Sequence, residues 1–295
     1  MTDLVLQSPR LSADAIDAFA VACLAQQVLR REAHGTVVAA RLCRIVNDEH
    51  TPAVIGALSG YWKCDAALVA PKMRAADYRA LVLDMDSTLI TIESIDELAR
   101  LAGKGEAVAA ITEAAMRGEI ADYAQSLRQR VALLAGLEES VVEQVRAERL
   151  RLSPGAPALC AGARARGWKT LLVSGGFTLI AQAVQEALGI DACCANRLVT
   201  QGGRLTGEVL GPAENDGRII DAAGKARALQ RHCQAWGCAP KAAIAVGDGA
   251  NDLQMMALAG LSIAYRAKPR VREQADCALD HAGLDGVLAL FADDW

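Results

Sequence analysis

From Tyr78 onward the sequence alternates short aliphatic runs with stretches of helical periodicity, and this alternation leaves few folds open. Ala80-Leu81-Val82-Leu83, Trp168–Val173, Ala242–Val246 and Leu261–Ala264 are the runs, each followed by a helical pattern. Near-continuous apolar strands of this kind are covered on both faces, as in parallel sheets. Strands alternating with helices therefore predict an α/β fold built on a doubly wound parallel sheet. Between the first two strands, at about 93–150, lies a segment rich in Ala, Glu, Arg and Leu with no strand signal. It predicts a helical cap inserted where it can close over a site.

Residues 1–75 read as a separate, smaller domain. Asp3–Gln7 suggests a strand, and Ser12 a helix N-cap before a periodic stretch to Gln26. Val28–Glu32 and Thr36–Val46 suggest two more strands, Thr51-Pro52 opens a helix to about Tyr61, and Ala66–Val69 closes the set. The order βαββαβ is that of a ferredoxin-like α+β domain. Lys72–Asp77 is expected to be a polar bridge to residues 76–295.

Composition narrows the function. The 295 residues are 53% hydrophobic, enough for two cored domains, and the net charge of −4 argues against binding nucleic acid by phosphate neutralisation. No run approaches the roughly 18 apolar residues of a membrane span, and Met-Thr-Asp-Leu lacks the cationic opening of a signal peptide. The expectation is a cytoplasmic protein with neither nucleic acid nor membrane as partner. The nine cysteines are odd in number and lack a C-x-x-C pair, which suits neither a disulfide framework nor a zinc site.

Ligands of open α/β sheets sit beyond the carboxyl ends of the strands. There the sequence places Asp84-Met85-Asp86-Ser87-Thr88, then Ser174-Gly175-Gly176, then Gly247-Asp248-Gly249-Ala250-Asn251-Asp252, with Lys225 between the last two. Each alone is an ordinary turn, cap or surface lysine. Together, in this order, they describe a metal-assisted phosphate site. On an extended backbone Asp84 and Asp86 point to one side, so one can attack phosphorus while the other handles protons. Asp84 and Asp248, with the Asp86 carbonyl, are candidate ligands for Mg²⁺, a hard cation that favours oxygen donors. Ser174 and the amides of Gly175 and Gly176 can cradle phosphate at a helix N-terminus. Lys225 adds a positive charge, which Asp252 could orient.

These motifs resemble the phosphoserine phosphatases, a family of haloacid dehalogenase-like hydrolases. The likeness extends to Ala195-Asn196-Arg197-Leu198 and Leu205-Thr206-Gly207, and it runs from about Ala80 to the C-terminus. It implies Asp84 as nucleophile and Asp86 as general acid, then base. It implies Mg²⁺ held by Asp84, Asp86 and Asp248, phosphate held by Ser174, Gly175 and Lys225, and Asn251 and Asp252 in support. It implies O-phosphoserine as the small-molecule substrate, with Glu93 meeting its ammonium group and Arg130 its carboxylate. Met116 and Tyr123 would line the lid, Tyr123 standing where the family more often has Phe. Transfer of the phosphoryl group to another hydroxyl acceptor remains an alternative, and so does a homodimer. Residues 1–75 resemble an ACT-type amino acid-binding module. Their first strand-to-helix turn, Gln7–Ser12, lacks the glycine common near such ligands, which favours a structural or dimer-forming role.

Overall fold

The computed structural model describes residues 2–117, 119–120 and 122–295; the side chains of residues 31–34 and of Met116 lie outside the described set. The first sheet comprises β1 (Thr2–Ser8), α1 (Ala13–Ala22), β2 (Gln27–His34), β3 (Val37–Ile45), α2 (Thr51–Trp62) and β4 (Asp65–Val69). Its strands are antiparallel in the order β2-β3-β1-β4. Ser12 caps α1, its hydroxyl oxygen accepting the Ala15 N–H at 3.1 Å. The helix stops at Ala22 rather than Gln26, because Leu24 turns back at φ +50°. That reversal lets the Gln26 N–H donate to the Cys43 carbonyl and start β2.

Alternation along β1 sends Leu4 and Leu6 toward α1 and α2, where they meet Ile16, Phe19 and Ile55. Val5, Ala39, Ala67 and Val69 take the opposite face and share a core with Leu284 and Val287 of the C-terminal segment. Arg41, Asp65 and Thr36 of this sheet are paired across the junction. Arg41 Nε donates to Asp3 at 2.9 Å and its Nη1 to the Leu290 carbonyl at 3.2 Å. Asp65 accepts the backbone N–H groups of Asp280, His281 and Ala282, and Asp285 accepts the N–H and hydroxyl of Thr36. The expected polar bridge is itself pinned: Ala75 is buried, donating its N–H to Asp293 and accepting from the Trp168 indole at 3.1 Å. Burial of its backbone against the Tyr78–Trp168–Phe291 aromatic cluster is what a reading from local polarity misses.

The second sheet begins with β5 (Ala80–Leu83). The cap follows as α3 (Ser94–Leu101), α4 (Gly105–Met116), α5 (Tyr123–Ala132) and α6 (Ser140–Gln144). Then come α7 (Ala156–Ala165), β6 (Lys169–Phe177), α8 (Thr178–Leu188), β7 (Ala192–Gln201), β8 (Arg204–Leu210) and α9 (Ala222–Ala235). The chain ends with β9 (Ala243–Gly247), α10 (Leu253–Leu258), β10 (Leu261–Tyr265), α11 (Pro269–Arg272) and β11 (Cys277–Leu279). Strand order is β11-β10-β9-β5-β6-β7-β8. Leu81 and Leu83 pack into one layer with Leu172, Ile244 and Val246, while Ala80 and Val82 pack into the other with Leu229 and Met255. The sheet is thus doubly wound. Among the described residues, no helix is long and apolar enough to cross a membrane.

The sequence predicts a parallel sheet, but one edge departs from it: β8 runs antiparallel to β7. Gly202 and Gly203, at φ +59° and +75°, form the tight turn that this hairpin requires. The cap leans on the hairpin through backbone bonds, Gly136 N–H to the Leu205 carbonyl and Leu205 N–H to the Leu137 carbonyl, both 2.8 Å.

Arg41 and Asp3 form a buried ion pair, so removing one partner strands the other charge in the interior. We predict that Arg41→Ala lowers unfolding stability by about 3–5 kcal/mol in urea titrations. An unchanged midpoint would show that the junction carries little of the stability.

Candidate active site

β5 lies centrally, hydrogen-bonded to β9 on one side and β6 on the other, with Leu83 opposite both Val246 and Leu172. That register brings three strand ends together. Asp84 follows β5 directly and donates its N–H to the Val246 carbonyl at 3.0 Å. Beyond it the chain makes a tight turn in which Ser87 adopts φ +56°, an uncommon conformation for a residue with a side chain. The turn buries Met85 in the core and leaves Asp84 and Asp86 lining one cavity of about 580 Å³.

Lys225 enters from the first turn of α9, whose N-cap is Asp221. Its ammonium is fully buried, 2.5 Å from Asp84 Oδ1 and 2.7 Å from Asp252 Oδ1. Burial opposes the charge, but the Asp252 and Asp84 carboxylates outweigh it and hold the ammonium protonated. The other Asp252 oxygen accepts the Gly249 N–H at 2.9 Å. A Cβ on Gly247 would stand 2.4 Å from the Asp252 Cγ, which explains glycine at that position. Asp252 therefore uses both oxygens to hold Lys225 and the loop. Asp248 accepts the Thr88 hydroxyl at 3.2 Å.

Carboxylate oxygens of Asp84, Asp248 and Asp252 lie within 4.8 Å of one another. Three acidic groups here face one lysine. Burial first, then the neighbouring Asp252, pushes Asp84 well above the usual carboxylate range, and the same causes push Asp248 up to about 6. This is a site short of positive charge, built of hard oxygen donors, and it fits a divalent cation.

Asp86 is turned away from that cluster. Its carboxylate accepts the Ser94 hydroxyl at 2.9 Å and the Ser94 N–H at 3.3 Å, at the start of cap helix α3. Burial, then the charge of Glu93, raises its pKa to about 7 against those bonds. Glu93 itself is exposed and accepts the Ser87 hydroxyl at 2.7 Å. Arg130, half-buried on α5, lines the cavity with its Nε on the Ser126 carbonyl, whereas Arg128 is exposed. Tyr123 lines it too, and so does Asn251. The Met116 side chain, expected on the lid, lies outside the described residues.

The phosphate cradle differs from expectation. Ser174-Gly175-Gly176 is not the N-terminus of a helix, since α8 begins only at Thr178. Val173 pairs with Cys194 and Phe177 with Asn196, so β6 carries two extra residues there and bulges into the cavity. The Ser174 oxygen accepts the Gly176 N–H at 2.8 Å, which commits that amide internally. Buried Asn196 holds the bulge, donating to the Gly175 carbonyl and accepting the Ile220 N–H, both at 2.8 Å. Asn196, Ser94 and Thr88 are positioning residues to which sequence reading assigned no role. Thr88 and Asn196 stand inside the quoted motifs and Ser94 opens the cap, but the partners that give Thr88 and Asn196 their roles are remote in sequence.

A family model described as haloacid dehalogenase-like hydrolase matches residues 81–257. The chain belongs to that family. It is 51% identical over 222 residues to a phosphoserine phosphatase of Albidiferax ferrireducens, covering 75% of this chain and 93% of the relative. A probable phosphoserine phosphatase from Vibrio cholerae, solved without ligand, superposes with a TM-score of 0.81 at 37% identity, over 98% of this chain and 86% of that one. A phospho-aspartyl intermediate analogue of phosphoserine phosphatase gives 0.65 at 38% identity, over 72% of this chain and 97% of the other. The expected α/β fold of this hydrolase family is therefore the observed one.

The charge balance has a measurable consequence. Asp86 and Asp248 bind protons more tightly folded than unfolded, so their contribution to stability is lost as pH rises from about 4 through about 7. A bound cation restores it, and protons compete with the cation below about pH 6. Saturating MgCl₂ should raise the melting temperature by several degrees at pH 8 and by much less at pH 5. Equal shifts at both values would mean that these carboxylates are not the binding groups.

Proposed function

We propose that this protein is a Mg²⁺-dependent phosphoserine phosphatase that hydrolyses O-phospho-L-serine to L-serine and phosphate through an aspartyl-phosphate on Asp84. One observation carries the reading: Lys225 grips a single oxygen of Asp84, and the carboxylate lies at the floor of the cavity that Ser174, Arg130 and Glu93 also line. The about half identity to a phosphoserine phosphatase over most of the chain supports the choice of substrate.

Asp84 Oδ2 attacks phosphorus, forming an O–P bond as the bond from phosphorus to the serine oxygen breaks. Asp86, which holds a proton near neutral pH, delivers it to that leaving oxygen. In the second half-reaction Asp86 takes a proton from water as the water oxygen bonds to phosphorus, and the Asp84–phosphorus bond breaks. Phosphate leaves and both aspartates are regenerated. Ser174, the Gly175 amide and Lys225 hold the phosphoryl oxygens where charge accumulates. Magnesium, held by Asp84, Asp248 and the Asp86 carbonyl, would supply the positive charge that allows two anions to meet. Arg130 grips the substrate carboxylate, and Glu93, oriented by Ser87, receives its ammonium group.

For residues 1–75 we infer a structural role. Their sheet has helices on one face and the catalytic half on the other, with Arg41, Asp65 and Thr36 paired across the junction. Calorimetric titration of L-serine into the full chain, giving a second binding event besides the product site, would favour a sensor instead.

Two substitutions test the chemistry. Asp84→Asn should cut phosphoserine turnover by about 10⁴-fold or more in a chain that still unfolds cooperatively, at a lower melting temperature because buried Lys225 loses one of its two carboxylate partners, and substantial residual activity would exclude the covalent route. Arg130→Ala should lower kcat/KM for phosphoserine roughly ten- to hundredfold while sparing an aryl phosphate that lacks a carboxylate. Equal losses on the two substrates would remove Arg130 from substrate recognition.

A further inference from the structure

The lid brings a hydroxyl into the phosphate cradle. Tyr123 is the first residue of α5, capped by Asp122, whose carboxylate accepts the Ala124 N–H at 2.9 Å. From there its ring crosses to the opposite wall of the cavity. A Cβ built on Gly175 would stand 2.2 Å from the Tyr123 hydroxyl oxygen and 3.2 Å from the ring carbon that carries it. The phenol therefore rests directly on the Gly175 backbone, in space that only glycine leaves open. Gly175 cannot retreat, because Asn196 holds its carbonyl from behind at 2.8 Å.

The hydroxyl makes no hydrogen bond to any described residue, although Tyr123 lines the cavity with Asp84, Asp86 and Ser174. Phenylalanine would fill the same volume and pack the same way, so packing alone does not call for the oxygen. Tyrosine hydroxyls in enclosed places usually find a partner, and here the partner must come from whatever occupies the cavity. Burial raises the phenol pKa to about 12, with the cations Lys225 and Arg130 pulling the other way, so the group stays protonated and acts as a donor. A donor above Gly175 faces the place where phosphoryl oxygens sit, whereas of the groups assigned to the amino acid end Glu93 precedes α3 and Arg130 lies about two turns further along α5.

We propose that the Tyr123 hydroxyl donates a hydrogen bond to a non-bridging phosphoryl oxygen, making it a phosphate-recognition residue supplied by the cap. The proposal rests on the phosphatase reading above and extends it. Ser174, Gly175 and Lys225 belong to the sheet half of the site, while Tyr123 rides on the lid. Docking of the lid then gains free energy from the phosphoryl group as well as from the amino acid end that Arg130 and Glu93 meet, so closure is sensitive to both ends of the substrate.

Tyr123→Phe in the full chain, assayed with MgCl₂, tests this and keeps the ring packing. Inhibition of turnover by inorganic phosphate and by orthovanadate should weaken roughly ten- to hundredfold, the range for one hydrogen bond to a charged group. Inhibition by L-serine, which lacks the phosphoryl group, should stay within about twofold of the parent. Phosphate inhibition equal to that of the parent would overturn the proposal. Equal weakening toward phosphate and L-serine would overturn it too, because it would assign the hydroxyl to lid closure in general. Should the parent chain fail to hydrolyse phosphoserine, the substrate reading falls, and calorimetric binding of inorganic phosphate to the two proteins still decides the role of Tyr123.

Discussion

The structure turns on a lysine ammonium buried between two carboxylates. Lys225 has no access to solvent, and its charge is tolerable only because Asp84 and Asp252 lie within hydrogen-bonding reach on either side. Asp84 follows β5, Asp252 lies beyond β9 just before α10, and the lysine comes from α9, so the contact fixes how helix and sheet meet. It also settles the state of Asp84. One oxygen is held by Lys225 while the residue lines the cavity, the arrangement that the nucleophile proposed above requires. With Asp248 added, the site remains short of positive charge, and that shortage is what suits it to a divalent cation.

Proton handling is separated from this cluster by a single turn. Asp84 and Asp86 are two residues apart, yet one is held by Lys225 on the sheet side and the other by Ser94 on the cap side. Met85 alone stands between them and is buried in the core, and the turn that follows Asp86, with Ser87 at φ +56°, brings Ser94 back to the Asp86 carboxylate. Two groups of the same type thereby acquire different environments, one close to a cation and one beside the exposed Glu93. Asp86 is also bonded to the first turn of α3, so its orientation depends on where the cap lies. The tie to Ser94 joins the carboxylate proposed above as proton donor to the cap.

Much of this was legible in the sequence. Aliphatic runs at Ala80–Leu83 and Ala243–Gly247, with their acidic followers, identify strands and strand-end chemistry because burial on both faces leaves no alternation to read. Helix ends were less legible. Gln26 fits the α1 periodicity but is claimed by Cys43, a partner seventeen residues away. The β7–β8 hairpin was not anticipated as structure, although Gly202-Gly203 is a turn signal, because its flanks mix polar and apolar residues.

What the sequence determined by itself was the inventory and order of reactive groups: Asp84, Asp86, Ser174, Lys225, Asp248 and Asp252, each beside an element that local pattern reveals. Only the tertiary structure decided how they are shared out. It gave Asp252 wholly to Lys225 and the Gly249 amide, committed the Gly176 amide to Ser174, placed Asp86 against Ser94, and set the Tyr123 hydroxyl on Gly175. The physical reason is that hydrogen-bond partners in a buried site are chosen by strand register and packing across the whole chain. Spacing along the sequence carries no record of that choice.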